Sequence, residues 1–413
     1  MIELPWESWA QQPDSSSKLW RPTILKPAFT YSQRWIVPFL VTVDADKLHG
    51  ADLHLLVKVK EGARWQEGEG YAHFPVHGNI AQKSNLEFDF SAFFLPGTYQ
   101  VTFMLYDAAS RFHSTLKKTL IVPRLKNDPA PALDEGLPPV EFIPGYGNDS
   151  LRPPRPGEGA SGNCHNRGVP DGFSETPTRL RFGRAPDRKL REAQGDFMMP
   201  AAPLARKLGL EGDGPVQVDL LADFTADPLR DPPVWQMFRV LAAISPNSGC
   251  VLLHAINVER QQVIFAGVNA AGASWSALLA KMRETNPGVI NAGALQASDR
   301  MAQFVVAQVA ALTAGTMGCS GHQPVKSHAI VIIAQARAFP HGTHHVMAEQ
   351  AEPGLRVFYL PLWHGGVGSG FDDILKVLKP LRPQVLDVST SFAFRESLAL
   401  ILTEIQRGNS AGR

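Results

Sequence analysis

Residues 216–227 read VQVDLLADFTAD, an apolar run closed by three oxygen-bearing side chains, Asp223, Thr225 and Asp227. Val216, Val218, Leu220 and Leu221 predict a buried strand of the kind found in parallel sheets. Open α/β sheets bind ligands just beyond the carboxyl ends of such strands. The stretch therefore sets the expected layout, with a sheet built around it downstream and a separate module upstream.

Length and charge narrow the classes of function. A chain of 413 residues has room for two or three cores, and 44 % hydrophobic with 19 % charged residues describes an ordinary globular protein. The net charge of +1 supplies no field to attract nucleic acid or an anionic membrane, so no nucleic-acid partner is expected. No apolar run approaches the roughly 20 residues of a membrane helix, so no transmembrane segment is expected. The start MIELPWESWAQQPDSSS lacks the basic and then apolar pattern of a signal peptide. Cys164, Cys250 and Cys319 are too few and too scattered for a disulfide framework or a zinc site, and Cys250 reads as core filler.

Taken in order, residues 1–33 show no period and predict an extended lead-in. Residues 34–123 carry short β runs at 35–43, 53–59, 86–90, 99–106 and 112–122. Tyr99, Val101, Phe103 and Leu105 alternate with Gln100, Thr102, Met104 and Tyr106, a period of two. Such spacing without an intervening helical window predicts an antiparallel, Ig-like β-sandwich. Residues 124–200 are rich in Pro and Gly and predict a linker with one short strand near 179–182. Residues 201–413 alternate strand and helix, except that the runs at 250–258 and 261–266 are separated by only Glu259 and Arg260. That gap forces an antiparallel pair.

The segments PVQVDLLADFTADP, RVFYLPLW and DDILKVLKPLRPQVLDVSTSFAFRESLALILTEI resemble the VWFA-related bacterial proteins abundant in acidobacteria, as do RWIVPFLVTV and LPGTYQVTFMLYD upstream. The resemblance spans both halves and implies an N-terminal antiparallel β-sandwich followed by a three-layer α/β von Willebrand factor A-like, Rossmann-like domain with one antiparallel edge strand. Export to the periplasm or beyond is implied by family, against the reading of this N-terminus. The family's metal-ion-dependent adhesion site takes a divalent ion on an Asp-x-Ser-x-Ser loop. Here Asp223 matches the first position, Thr225 replaces the first Ser and Asp227 stands at the second. The family's Thr from a second loop and its Asp after strand four have no match, which makes the loop degenerate. Mg2+ or Ca2+ is the cofactor such oxygens would hold, and otherwise none is expected. The same three residues also suit the capping of a loop and helix start.

A second set, His341, His344 and His345 with His364, could hold zinc or copper, or form a polar loop. The favoured function is a non-enzymatic protein-interaction or adhesion module that meets its partner through loops at Asp231, Ser298 and Trp363. Alternatives are a structural component of an envelope-associated complex and a metal-dependent hydrolase using Asp223 and the histidines. The sequence leaves the partner's identity and the oligomeric state open.

Overall fold

The computed structural model describes residues 5–14, 19–44, 52–61, 70–77, 85–134, 137–143, 179–182, 208–210, 215–225, 232–285, 298–314, 325, 327–339, 354–362 and 372–410. Two compact units divide the chain. The first comprises residues 1–28, 34–126 and 137–202, and the second 29–33, 127–136 and 203–413.

The first unit opens with helix α1 (Trp6–Gln11) and strand β1 (Trp20–Ile24), with the two-residue strand β2 (Ala28–Phe29) at its margin. Strands β3 (Trp35–Asp44), β4 (Asp52–Glu61), β5 (Gly70–His77), β6 (Asn85–Phe94), β7 (Gly97–Asp107) and β8 (Phe112–Val122) follow. Two short strands, β9 (Val140–Phe142) and β10 (Arg179–Phe182), end the unit. One antiparallel sheet has the order β1-β3-β6-β10 and the other β5-β4-β7-β8. Alternate residues of both sheets fill a shared core, among them Val37, Phe39, Val41, Leu55, Val57, Phe88, Phe90, Val101 and Phe103. Period-two alternation is what makes one face of each strand apolar and lets the two faces close on each other.

The second unit contains β11 (Leu208–Leu210), β12 (Val216–Asp223), helix α2 (Pro232–Leu241), β13 (Ile244–Pro246), β14 (Gly249–Asn257) and β15 (Gln262–Asn269). Helices α3 (Trp275–Glu284) and α4 (Ser298–Thr313), strands β16 (Ser327–Gln335) and β17 (Leu355–Leu362), helix α5 (Asp373–Leu378), strand β18 (Gln384–Val385) and helix α6 (Ser391–Ser410) complete it. Its larger sheet has the order β15-β14-β12-β16-β17-β18, and β11 pairs with β13 apart from it. Strand β12 runs parallel to both β14 and β16, and only β14 with β15 is antiparallel. Residues of one parity, such as Val218, Leu220, Val331 and Ile333, pack against α2, α3 and α6. The other parity, with Leu221, Ile330 and Ile332, packs against α4 and α5. Gly249 is required where β14 begins. Its φ is +116°, and a Cβ there would lie 1.9 Å from the carbonyl oxygen of Val216.

The expected class, an antiparallel sandwich joined to a three-layer von Willebrand factor A-like domain, is corrected. Strands account for 47 % and helices for 28 % of the described residues, and most of the strand pairs are antiparallel. The sequence reading credited the first half with too few strands. It passed over β1, β5 and β9, so the α/β half was given a weight in the class that the chain as a whole does not bear out. Cys250 is buried as expected, 6 % exposed, and is in addition disulfide-bonded.

Two short stretches from the first half of the sequence belong to the second unit, and α6 holds both. Arg395 is fully buried and donates through Nε and Nη2 to the two carboxylate oxygens of Asp128, at 2.6 and 2.7 Å. A further Nη2 bond reaches the Ala130 carbonyl at 2.9 Å. The Tyr31 hydroxyl donates to the Val388 carbonyl and the Ser391 hydroxyl to that of Phe29, at 2.9 and 2.8 Å. A bidentate arginine needs this planar match, which lysine cannot reproduce.

Candidate functional site

Strand β12 ends at Asp223, whose side chain is 2 % exposed. A buried carboxylate must be compensated, and this one is compensated four times. Oδ1 accepts from the Thr225 backbone N–H at 3.0 Å, the Thr225 hydroxyl at 2.6 Å and the Val258 N–H at 3.2 Å. Oδ2 accepts from Arg337 Nη2 at 2.9 Å. Val258 N–H also points at Thr225 Oγ1, 3.1 Å away, so the hydroxyl both donates and accepts. The other arm of Arg337, Nη1, donates to Glu259 Oε1 at 3.3 Å, and Glu259 is about one-third exposed. Phe224, between Asp223 and Thr225, turns the opposite way into the core beside Trp235 and Phe238.

Arg337 lies two residues beyond the end of β16, and its main chain is anchored by the start of α5. Asp373 N–H donates to the Arg337 carbonyl at 2.9 Å, and Phe339 N–H donates to Asp373 Oδ2 at 2.6 Å. The neighbouring Asp372 caps α5, accepting from Ile374 N–H and Leu375 N–H at 3.1 and 3.3 Å and from the Tyr359 hydroxyl at 2.8 Å. Burial raises the Asp372 carboxyl above its usual range, and burial together with the Asp372 charge raises the Tyr359 phenol.

A second polar group sits nearer the start of the same strand. Asp219, 1 % exposed, accepts from His254 Nε2 through Oδ1 at 2.8 Å. Its Oδ2 faces His328 Nε2 at 2.7 Å and Gln217 Nε2, also at 2.7 Å. The Gly267 backbone N–H donates to His254 Nδ1 at 3.2 Å, which assigns that ring its proton on Nε2, facing Asp219. Burial works against the Asp219 charge, but the hydrogen bonds from His254, His328 and Gln217 outweigh it and hold the carboxyl below its ordinary value.

A cleft of about 410 Å³ lies between α2, β13 and the start of β14, with Arg239, Trp275, Asn269 and Cys250 among its walls. The Arg239 guanidinium carbon stands 5.2 Å from the Trp275 ring centroid, and burial lowers its pKa to about 10.

Of the residues singled out in the sequence, Asp223 and Thr225 come together, and Ser298 opens helix α4. Asp227, Asp231, His341, His344, His345, Trp363 and His364 lie outside the described residues. Among the described residues no group of three or more His, Cys, Asp or Glu is placed to hold a metal ion. Sequence reasoning missed Arg337, Glu259 and the whole Asp219 group. Strand parity could have found the latter, since Gln217 and Asp219 interrupt the apolar run on alternate positions. Register sets His254 opposite Leu221 and His328 opposite Gln217, on either side of Asp219.

No protein-family model matches the chain, and no curated protein matches it. Matches among solved structures include β-glucuronidases of Bacteroides uniformis. One crystal structure is 11 % identical over 27 % of this chain and 14 % of its own, with a TM-score of 0.18. A calcium-binding mutant of β-glucuronidase 2 is 8 % identical over 77 % of this chain and 34 % of its own, also at 0.18. The same enzyme covalently bound to cyclophellitol-6-carboxylate aziridine is 8 % identical over 96 % and 33 %, at 0.17. The chain thus spans about a third or less of the length of each. The expectation that this chain is not an enzyme is corrected and withdrawn. At such TM-scores these neighbours transfer no activity to it. No helix among the described residues is long and apolar enough to cross a membrane.

Proposed function

We propose that the chain is a protein-interaction module whose recognition face is the carboxyl end of β12 and the loops beside it. The observation that carries this reading is the group Asp223, Thr225, Arg337 and Glu259. Three of its members are buried or nearly so, while Glu259 remains about one-third exposed at the β14–β15 turn. Polar residues locked by several mutual bonds at a strand end hold loops in one shape. A pre-shaped surface loses less entropy when a partner docks.

Site-specific photo-crosslinking tests the reading. A crosslinking residue at Gln262, beside the turn, should trap one discrete protein from an extract of the native cells. That protein, once purified, should bind the intact chain directly and lose binding to Glu259→Arg. The same residue placed at Ile121, exposed on the sandwich, should not trap it. Identical products from both positions, or none at Gln262, would remove the proposal.

A further inference from the structure

We infer that the Arg337 guanidinium is the resident cation of the strand-end site, standing where the sequence points to a divalent metal. Asp223 and Thr225 supply the hard oxygens that such an ion prefers, but those oxygens are already engaged. Asp223 Oδ1 takes three donors and Oδ2 faces Arg337. A divalent ion takes about six oxygen ligands and would also be repelled by a guanidinium bonded to the same carboxylate. The residues present therefore do not fit a metal.

They do fit arginine. Its planar fork sends one Nη to Asp223 and the other to Glu259, so two carboxylates are bridged by a single cation. A divalent ion bridges paired carboxylates in the same way, but it can be chelated or washed out, whereas a guanidinium is covalently part of the chain. The anchoring of the Arg337 carbonyl by Asp373 N–H fixes the side chain's point of departure. The site is thus permanently filled, and binding at this face is insensitive to metal supply. Only that last consequence rests on the interaction reading; the assignment of the cation stands without it.

The test is thermal unfolding of the full chain in EDTA, Mg2+ and Mn2+, for the wild type, Arg337→Ala, Arg337→Lys and the double variant Arg337→Ala with Asp223→Asn. The wild type should melt at one temperature in all three. Arg337→Ala in EDTA should melt roughly 10 °C lower, because a buried carboxylate has lost its counter-charge. Mn2+ or Mg2+ should restore part of that loss by entering between Asp223, Thr225 and Glu259, and the double variant should not respond. Arg337→Lys should lie between wild type and Arg337→Ala. A wild-type melting point raised by Mn2+, or an Arg337→Ala chain that no divalent ion stabilises, would overturn the inference. Should Arg337→Ala fail to fold, Mn2+ binding to the wild type measured by electron paramagnetic resonance decides. No bound ion is expected, and binding abolished by Asp223→Asn would contradict the assignment. Failure here leaves the crosslinking result at Gln262 untouched, so the two readings fall separately.

Discussion

Asp219 and Asp223 lie on the same face of the same strand, with Leu221 between them, and both are almost fully buried. Their surroundings differ in one respect that decides their behaviour. Asp219 is held by two imidazoles and an amide. Asp223 is held by a guanidinium, a hydroxyl and two backbone N–H groups. One strand thus carries two solutions to the same desolvation problem. The imidazole-bound one lies within the sheet, and the guanidinium-bound one at the end from which loops depart.

The largest expected effect removes the frame common to both. Gly249→Ala would force a Cβ against the Val216 carbonyl where β14 meets β12, at a backbone angle that alanine rarely adopts. A loss of about 4 kcal/mol or more in a denaturant titration is expected. Next, Arg337→Ala without metal should cost about 3–5 kcal/mol by stranding the Asp223 charge. Asp219→Ala leaves three buried donors unpaired and should cost about 3 kcal/mol. A loss for Asp219→Ala that exceeded the one for Arg337→Ala would reverse the ranking of the two solutions.

Acidification tests the Asp219 group by itself. The Asp219 carboxyl is held below its ordinary value in the folded chain, so its contribution is complete above about pH 4 and disappears as pH falls through the lowered folded value. Stability of the wild type should therefore decline on acidification, and Asp219→Asn should flatten that decline in urea titrations taken across the same range. Arg337→Ala should keep the Asp219-dependent slope. The smallest effect belongs to Glu259→Gln, which weakens a long and partly exposed ion pair and should change stability by no more than about 0.5 kcal/mol.

How legible these features were in the sequence follows from their chemistry. The apolar alternation of Tyr99, Val101, Phe103 and Leu105 places strand β7 directly, and the two-residue gap at Glu259 and Arg260 gives the β14–β15 antiparallel pair. Strand β5 was hidden because Pro75 and two histidines break its pattern. Proline is nevertheless tolerated there, since β5 lies on the edge of its sheet. Strand β10 sits in Pro- and Gly-rich sequence and gains its order from pairing with β6, a long-range contact that local composition does not encode.

The strand-end site was half legible. Asp223 and Thr225 stand out as oxygen-bearing residues closing an apolar strand, whereas Arg337 lies 114 positions away, where a metal-site pattern calls for a carboxylate. Such a pattern is made of anions and has no place for a protein cation. The Asp219 group was concealed differently. Each member lies singly in a separate apolar strand, and only the register of β12 against β14 and β16 brings them together.

Anomalous diffraction at the manganese edge, from crystals of the wild-type chain grown with Mn2+, tests the central assignment most directly. The expected map shows the Arg337 guanidinium between Asp223 and Glu259 and no anomalous peak beside either carboxylate. A manganese peak on Asp223 with Arg337 turned away would contradict it and return the strand end to a metal-dependent site.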